Sequence, residues 1–239
     1  MSEKDTIQKL IGKERYGFDD LVDIMTVLRS EQGCPWDREQ THLSIRENLI
    51  EETYEVVEGI DNSDAELLKE ELGDLMFQIV FHAQLEKEQG TFDVSDVIDG
   101  VSRKMVHRHP HIFADRKLDT TDQVLDAWDK IKAEEKSRVS LSDKLQSIPR
   151  QLPALVRAQK VTEKAIKYQA VTDTAEQAIA SAFAALDRLR DRPSSETAED
   201  NLGQLLLAVS VLAERLDVSA ERALTYAVDR QLEAVKSKE

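Results

Sequence analysis

Between Asn48 and Leu85 the chain reads NLIEETYEVVEGIDNSDAELLKEELGDLMFQIVFHAQL, two helical patterns separated by a few turn residues. So short a connection obliges the two helices to pack as an antiparallel hairpin. Each helix carries carboxylates where a purely structural helix would not place them. On the first, Glu51, Glu52, Glu55 and Glu58 fall within an arc of roughly 120°, at about 100° per residue. Like charges spaced i,i+3 and i,i+4 repel by a few tenths of a kcal/mol per pair. On the second, Glu71 and Asp74 interrupt an otherwise apolar run from Leu67 to Leu85. Acids on so apolar a helix are expected to be partly buried, and a buried carboxylate needs a partner. Side by side, the helices would bring Glu52, Glu55, Glu71 and Asp74 to one point, where a divalent cation is the natural partner. The competing reading of the first helix is a solvated acidic face. Glu71 and Asp74 argue against it for the pair.

The limits of the hairpin are marked by local chemistry. Thr41 can cap the first helix, which runs to about Ile60 with Ile45, Leu49, Val56 and Ile60 on its apolar side. Asp61 and Asn62 make a turn, Ser63-x-x-Glu66 reads as a capping box, and Gly90 ends the second helix. Upstream, the first sixteen residues lack periodicity and are expected to fray. A helix follows from Asp19, with Leu21, Ile24, Met25 and Leu28 in register and Gly33 as its C-cap. CPWDREQTH, Cys34 to His42, reads as a loop, with Trp36 a lid over the core rather than a ligand contact.

Downstream, a helix from about Val94 to Arg108 would be buried through Val94, Val97, Ile98, Val101 and Met105. Its far face carries Arg103, Lys104, His107 and Arg108, and His109-Pro110 stops it. The spacing His107-x-His109-x-His111 straddles a helix end and a proline with no cysteine near, so these histidines read as turn-forming rather than zinc-binding. Thr120 and Thr121 open a helix to about Lys136 that places Trp128 and Lys132 one turn apart. Ser137 to Pro153 is polar and holds two prolines, and the domain boundary is expected near residue 147, giving domains 1–147 and 148–239.

The second domain holds four helical patterns, roughly Leu152–Tyr168, Thr174–Leu189, Glu196–Leu216 and Ser219–Lys236. One pair repeats the first domain. ELGDLMFQIVFHAQL (Glu71–Leu85) aligns with NLGQLLLAVSVLAER (Asn201–Arg215), and EETYE (Glu51–Glu55) stands where AALDR (Ala184–Arg188) stands. In the copy Glu52 becomes Ala185, Glu55 becomes Arg188, Glu71 becomes Asn201 and Asp74 becomes Gln204. The apolar register survives without the charges, so scaffold and chemistry are separable.

With aromatics at 5% and few Gly or Pro, the composition favours an all-α protein. The formal net charge of −15 argues against nucleic acid or an anionic membrane as main partner. The single cysteine, Cys34, excludes an intrachain disulfide and fits a reducing compartment. No apolar segment reads as a signal peptide or a membrane span, which makes a cytoplasmic protein the expectation.

Magnesium takes oxygen ligands in near-octahedral geometry and usually shares them with water and phosphate. An E-x-x-E on one helix facing an E-x-x-D on the next supplies such ligands on adjacent turns. A di-iron site would want a histidine at i+3 from a glutamate, whereas His82 lies eleven residues beyond Glu71. Lys104 and Arg108 form an i,i+4 basic pair, either a surface feature or a phosphate clamp beside the metal.

Taken in order, CPWDREQTH, EETYEVVEG, EELGDLMFQIVFHAQ, RHPHIFAD, LDAWDKIKAEEK and LPALVRAQK resemble the MazG family of nucleoside triphosphate pyrophosphohydrolases, from about Phe18 to Lys160. The second half resembles a degraded second MazG domain. The resemblance implies two tandem four-helix-type domains assembled as an intertwined homodimer. It also implies magnesium-dependent cleavage of nucleoside triphosphates at the α–β bond, with manganese able to stand in. Carried onto this chain, it makes Glu52, Glu55, Glu71 and Asp74 the metal ligands and Glu51 the residue that orients or deprotonates water. Lys104 and Arg108 become phosphate contacts, Trp128 an aromatic near the nucleotide, Lys132 a further phosphate contact, and Asn48 a nucleotide contact. Two-domain members can keep a competent second site; here Ala185, Arg188, Asn201 and Gln204 cannot bind magnesium, and the second basic pair reads Arg230 and Ala234. Activity is therefore expected in the first domain alone, with the second kept for dimerisation or stability. Selectivity for non-canonical nucleotides, or a non-catalytic metal- or nucleotide-binding protein, are the alternatives.

Overall fold

The structure, a computed structural model, describes residues 3–115, 117–135, 140–190 and 194–237. Every regular element among them is helical, and none is long and apolar enough to cross a membrane. The first compact unit, Met1–Asp119, holds α1 (Glu3–Ile11), α2 (Phe18–Leu28), α3 (Pro35–Glu39), α4 (Arg46–Asp61), α5 (Ala65–Gln89), α6 (Val94–Arg108) and α7 (Pro110–Phe113). The second, Thr120–Glu239, holds α8 (Thr121–Glu135), α9 (Leu141–Gln146), α10 (Ala154–Lys167), α11 (Ala175–Arg190), α12 (Ser195–Arg215) and α13 (Ala220–Lys236). The compact units thus divide earlier than the boundary expected near residue 147. One reason is that α9 packs on α10 and Lys167 of α10 pairs with Asp129 of α8.

The hairpin expected from the sequence is present: α4 and α5 pack along their length. Asn62 and Ser63 turn the chain, Ser63 with φ +54°. The cap of α5 is Asp64 rather than Ser63, its carboxylate accepting from Glu66 N and Leu67 N at 3.0 and 3.1 Å. With Ser63 in the left-handed region, the next residue is the one that faces the free amides. Gly90 closes α5 with φ +72°, where a Cβ would be strained. Thr41 does not cap α4, whose first residue follows Ile45; Thr41 and Ser44 instead bond each other reciprocally, N to Oγ, at 2.9 and 3.2 Å.

Close approach of the two helices depends on Gly59. A Cβ there would stand 2.9 Å from Leu68 N and 3.0 Å from Leu68 Cα, backbone that cannot swing aside. Gly59→Ala is therefore expected to destabilise the protein by about 1–3 kcal/mol, as overpacking does. Urea denaturation checks it, and an unchanged midpoint would contradict the tight packing.

The core beneath the hairpin is Met25, Ile45, Val80, Phe81, Ala83, Leu85 and Val94, with Leu21, Val22 and Phe77 against it. Phe77 meets Phe81 edge to face, and the guanidinium of Arg29 lies 5.4 Å over the Phe81 ring while pairing with Glu88 at 2.7 Å. Several sequence expectations change here. Residues 3–11 form a helix rather than fraying, because Lys9 pairs with Asp23 at 3.1 Å and Lys13 with Asp20 at 2.5 Å. CPWDREQTH contains the short helix α3, with Pro35 opening it, and Trp36 is 59% exposed rather than lying over the core. Arg29, not Gly33, caps α2. On α6 only Val94 of the expected apolar stripe is buried, while Val97, Ile98 and Val101 stay exposed on this single chain. The polar stretch after residue 136 contains α9, begun by a Ser140–Asp143 capping box.

Candidate metal centre

Glu52 and Glu55 sit one turn apart on α4, and Glu71 reaches them from the second turn of α5. One carboxylate oxygen of each lies within 4.8 Å of the others, close enough for a single cation to be shared. Glu71 is only 9% exposed. Burial, then the Glu55 and Asp74 charges, push its carboxyl above the usual range; burial, then Asp74 and Glu55, do the same to Glu52. Three hard oxygen donors, two of them poorly solvated and mutually repelling, fit a divalent cation. Asp74, one turn beyond Glu71, is exposed and outside the closest group, yet it is near enough for its charge to act on both.

These shifts have a sign that can be tested. Below about pH 4.5 the carboxyls are protonated in folded and unfolded chains alike. As pH rises the unfolded chain releases these protons first, so their contribution to stability falls until the folded groups ionise too. In EDTA, the urea midpoint of Glu71→Gln is expected to gain on the wild type as pH rises from about 4 to about 7. A difference independent of pH would contradict this.

The second hairpin shows how the same scaffold manages without charge. Arg188 Nε, at the position of Glu55, donates to Oδ1 of Asn201, at the position of Glu71, at 2.7 Å. Asn201 is 4% exposed and its Nδ2 donates to Thr197 O at 2.9 Å. Ala185, in place of Glu52, is fully buried. The site that holds facing acids in α4–α5 is closed in α11–α12 by a neutral-acceptor bond and a methyl group.

The remaining expected residues are more dispersed. Lys104 is exposed, whereas Arg108 is 7% exposed rather than on the open far face of α6, so the basic pair does not share one environment. An i,i+4 spacing alone cannot separate these, because Arg108 lies at the helix end where the chain folds back into α7. Asn48 is half-buried and Glu51 exposed on α4. Trp128 and Lys132 are half-buried on α8, in the second unit. His109 Nδ1 bonds the Met105 carbonyl at 2.6 Å and caps α6, the turn-forming role expected for it.

One polar group escaped the sequence reading. His42 and His82 bond through their Nδ1 atoms at 2.7 Å with near-parallel rings, and His42 Nε2 meets Glu86 Oε1 at 2.7 Å. Thr91 Oγ1 also donates to the Glu86 carboxylate; that bond first, then the one with His42, holds the carboxyl below its usual range. Burial, then His42, lowers the His82 pKa. His42 lies 40 residues from His82, and no local pattern announces such a pairing.

An all-helical scaffold thus brings carboxylates together from the two helices of an antiparallel hairpin, a set of oxygen donors that could share one cation. The family model for the MazG nucleotide pyrophosphohydrolase domain matches residues 40–113, a segment that holds all four acids. The nucleoside triphosphate pyrophosphohydrolase of Escherichia coli K12 is 38% identical over 218 residues, covering 89% of this chain and 83% of that protein. The Thermotoga maritima nucleoside triphosphate pyrophosphohydrolase/pyrophosphatase MazG is 37% identical over 222 residues, 93% of this chain and 85% of that one. A Mycobacterium tuberculosis nucleoside triphosphate pyrophosphohydrolase is 40% identical over 150 residues, 62% and 44% of the two chains. This chain belongs to the MazG family.

Proposed function

We propose that the protein hydrolyses nucleoside triphosphates, ribo- or deoxyribo-, at the α–β phosphate bond, releasing nucleoside monophosphate and pyrophosphate. The observation that carries this reading is the convergence of Glu52, Glu55 and Glu71, inside the segment that matches the family and in a chain whose relatives are named nucleoside triphosphate pyrophosphohydrolases.

Glu52, Glu55 and Glu71 would hold the divalent ion, with Asp74 completing the set. When bound, magnesium neutralises phosphate charge and makes water a better nucleophile. Glu51, exposed beside Glu52, accepts the proton of the attacking water on its carboxylate. The Lys104 ammonium and the Arg108 guanidinium offset the charge that develops on the pyrophosphate leaving group. Asn48, Trp128 and Lys132 are assigned as nucleotide contacts on their sequence match. The second domain, residues 148–239, is assigned a structural or dimerising role, which the Arg188–Asn201 bond supports.

Homodimerisation belongs to the same reading. Ile50, Tyr54 and Val57 on α4, and Leu72, Met76 and Ile79 on α5, are all more than a third exposed, and a second copy of the chain would cover them. Light scattering should give twice the mass of the 27.1 kDa chain; a monomer at micromolar concentration would contradict it.

The activity is tested by incubation with nucleoside triphosphates and magnesium, followed by phosphorus NMR. Monophosphate with pyrophosphate is expected, and diphosphate with orthophosphate would refute the bond assigned. Binding of a non-hydrolysable analogue without turnover of the triphosphate would identify a binding protein instead. A panel that includes non-canonical bases sets selectivity.

A further inference from the structure

The second unit contains a cleft of about 550 Å³ between α8, α9 and α10, within the range of small-molecule sites. Five lysines line it: Lys132 from α8, Lys144 from α9, and Lys160, Lys164 and Lys167 from α10. Those on α10 follow at i, i+4 and i+7, so they share one face of the helix. The acids of the lining are Asp129 and Glu163. This excess of positive charge stands in a chain whose formal net charge is −15.

Three lysines of the first unit take carboxylate partners: Lys9 with Asp23, Lys13 with Asp20, Lys69 with Glu66. In the cleft Lys167 does the same with Asp129. Lys144 lies 4.2 Å over the Tyr168 ring and meets its hydroxyl. Lys160 and Lys164 make no ion pair among the described residues, although carboxylates abound. Three separate helices thus bring ammonium groups to one concavity, and Lys144, Lys160 and Lys164 make no ion pair with a carboxylate there among the described residues. Ammonium groups converging on one concavity attract an anion with several oxygens. Ile148, Pro149 and Leu152 supply an apolar wall on the same cleft.

We infer that this cleft binds a polyphosphate group, either free pyrophosphate or the phosphate chain of a nucleotide, on Lys144, Lys160 and Lys164. Apart from Lys132, none of its lysines is assigned to the hydrolytic reaction, and the inference does not rest on that reaction. Free pyrophosphate would use the lysines alone, whereas a nucleotide would add contacts along the apolar wall.

The test is calorimetric titration of the full chain in EDTA, which leaves the carboxylate centre without a cation to bridge it to phosphate. The titrants are inorganic pyrophosphate and an α,β-methylene nucleoside triphosphate. The wild type binds at least one of them, and Lys160→Met/Lys164→Met weakens that binding by about tenfold or more. Methionine keeps the aliphatic stems, and Lys160 is exposed, so the fold is preserved. Lys144→Met, on a different helix, shows a loss in the same direction. Lys87→Met/Lys117→Met, which removes two exposed lysines of the first unit, leaves affinity unchanged. Tighter binding of the analogue than of pyrophosphate identifies a nucleotide as the ligand, and the reverse identifies free pyrophosphate. No binding of either titrant by the wild type, full binding by the cleft variants, or an equal loss in the first-unit control would overturn the inference.

Discussion

Glu71→Gln is expected to lower nucleoside triphosphate hydrolysis by about a hundredfold or more at saturating magnesium, while leaving the chain at least as stable as the wild type in metal-free buffer. The two effects have one cause. Glu71 is 9% exposed and stands among Glu52, Glu55 and Asp74, so its charge opposes folding until a cation compensates it. Glutamine keeps the shape, removes the charge and relieves that repulsion, but offers the ion a neutral oxygen. A residue with a merely structural role would lose stability and activity together. Steady-state rates at several magnesium concentrations, with urea melts in EDTA, separate these outcomes. A Glu71→Gln protein that turns over at the wild-type rate would remove Glu71 from the centre.

The second large effect concerns the copy of the hairpin. Ala185→Glu, which restores the acid found at Glu52, is expected to destabilise the second unit by about 3 kcal/mol or more and to create no second active site. Glu52 is half-buried with room for its carboxylate, whereas Ala185 has no exposure at all. The larger side chain must displace the α11–α12 packing, and its charge has no water. A loss of that size lowers the melting midpoint by about 6–12 °C in a chain of this length. Hydrolysis measured below the transition should stay at the wild-type level, because the first hairpin is untouched. An unperturbed midpoint would mean that α11 and α12 can open at this point.

Much of the first unit was legible in the sequence because its signals are local. The apolar register of α5, Gly90 at its end and the i,i+3 acids of α4 need only neighbouring residues to be read. The end of α6 at Arg108 follows from His109-Pro110 in the same way. What the sequence hid depends on distant partners. Helix α1 is held by Lys9 and Lys13 reaching Asp23 and Asp20, and ionic pairs of that kind have no period. The His42–His82–Glu86 group joins residues 40 and 44 positions apart. Burial of Arg108 follows from the fold of the chain after α6, not from its helical face. The exposed Val97, Ile98 and Val101 show the opposite case, a stripe that the sequence marks as buried and that one chain alone does not cover.

Four acids on two facing helices are readable in the sequence, and the structure brings three of them together, with Asp74 outside the close group. The copy supplied an internal control. In α11–α12 the same scaffold stands with Arg188 bonded to Asn201, so the hairpin does not require carboxylates in order to pack. On the proposed reading, their presence in α4–α5 serves metal binding rather than folding.

That claim is tested most directly by titrating manganous ion into the protein and following the free ion by electron paramagnetic resonance. The wild-type chain should bind it, Glu52→Gln/Glu71→Gln should lose that binding, and Arg188→Ala in the second hairpin should leave it unchanged. Equal binding by the wild type and the doubly substituted chain would contradict a metal centre on the acidic hairpin.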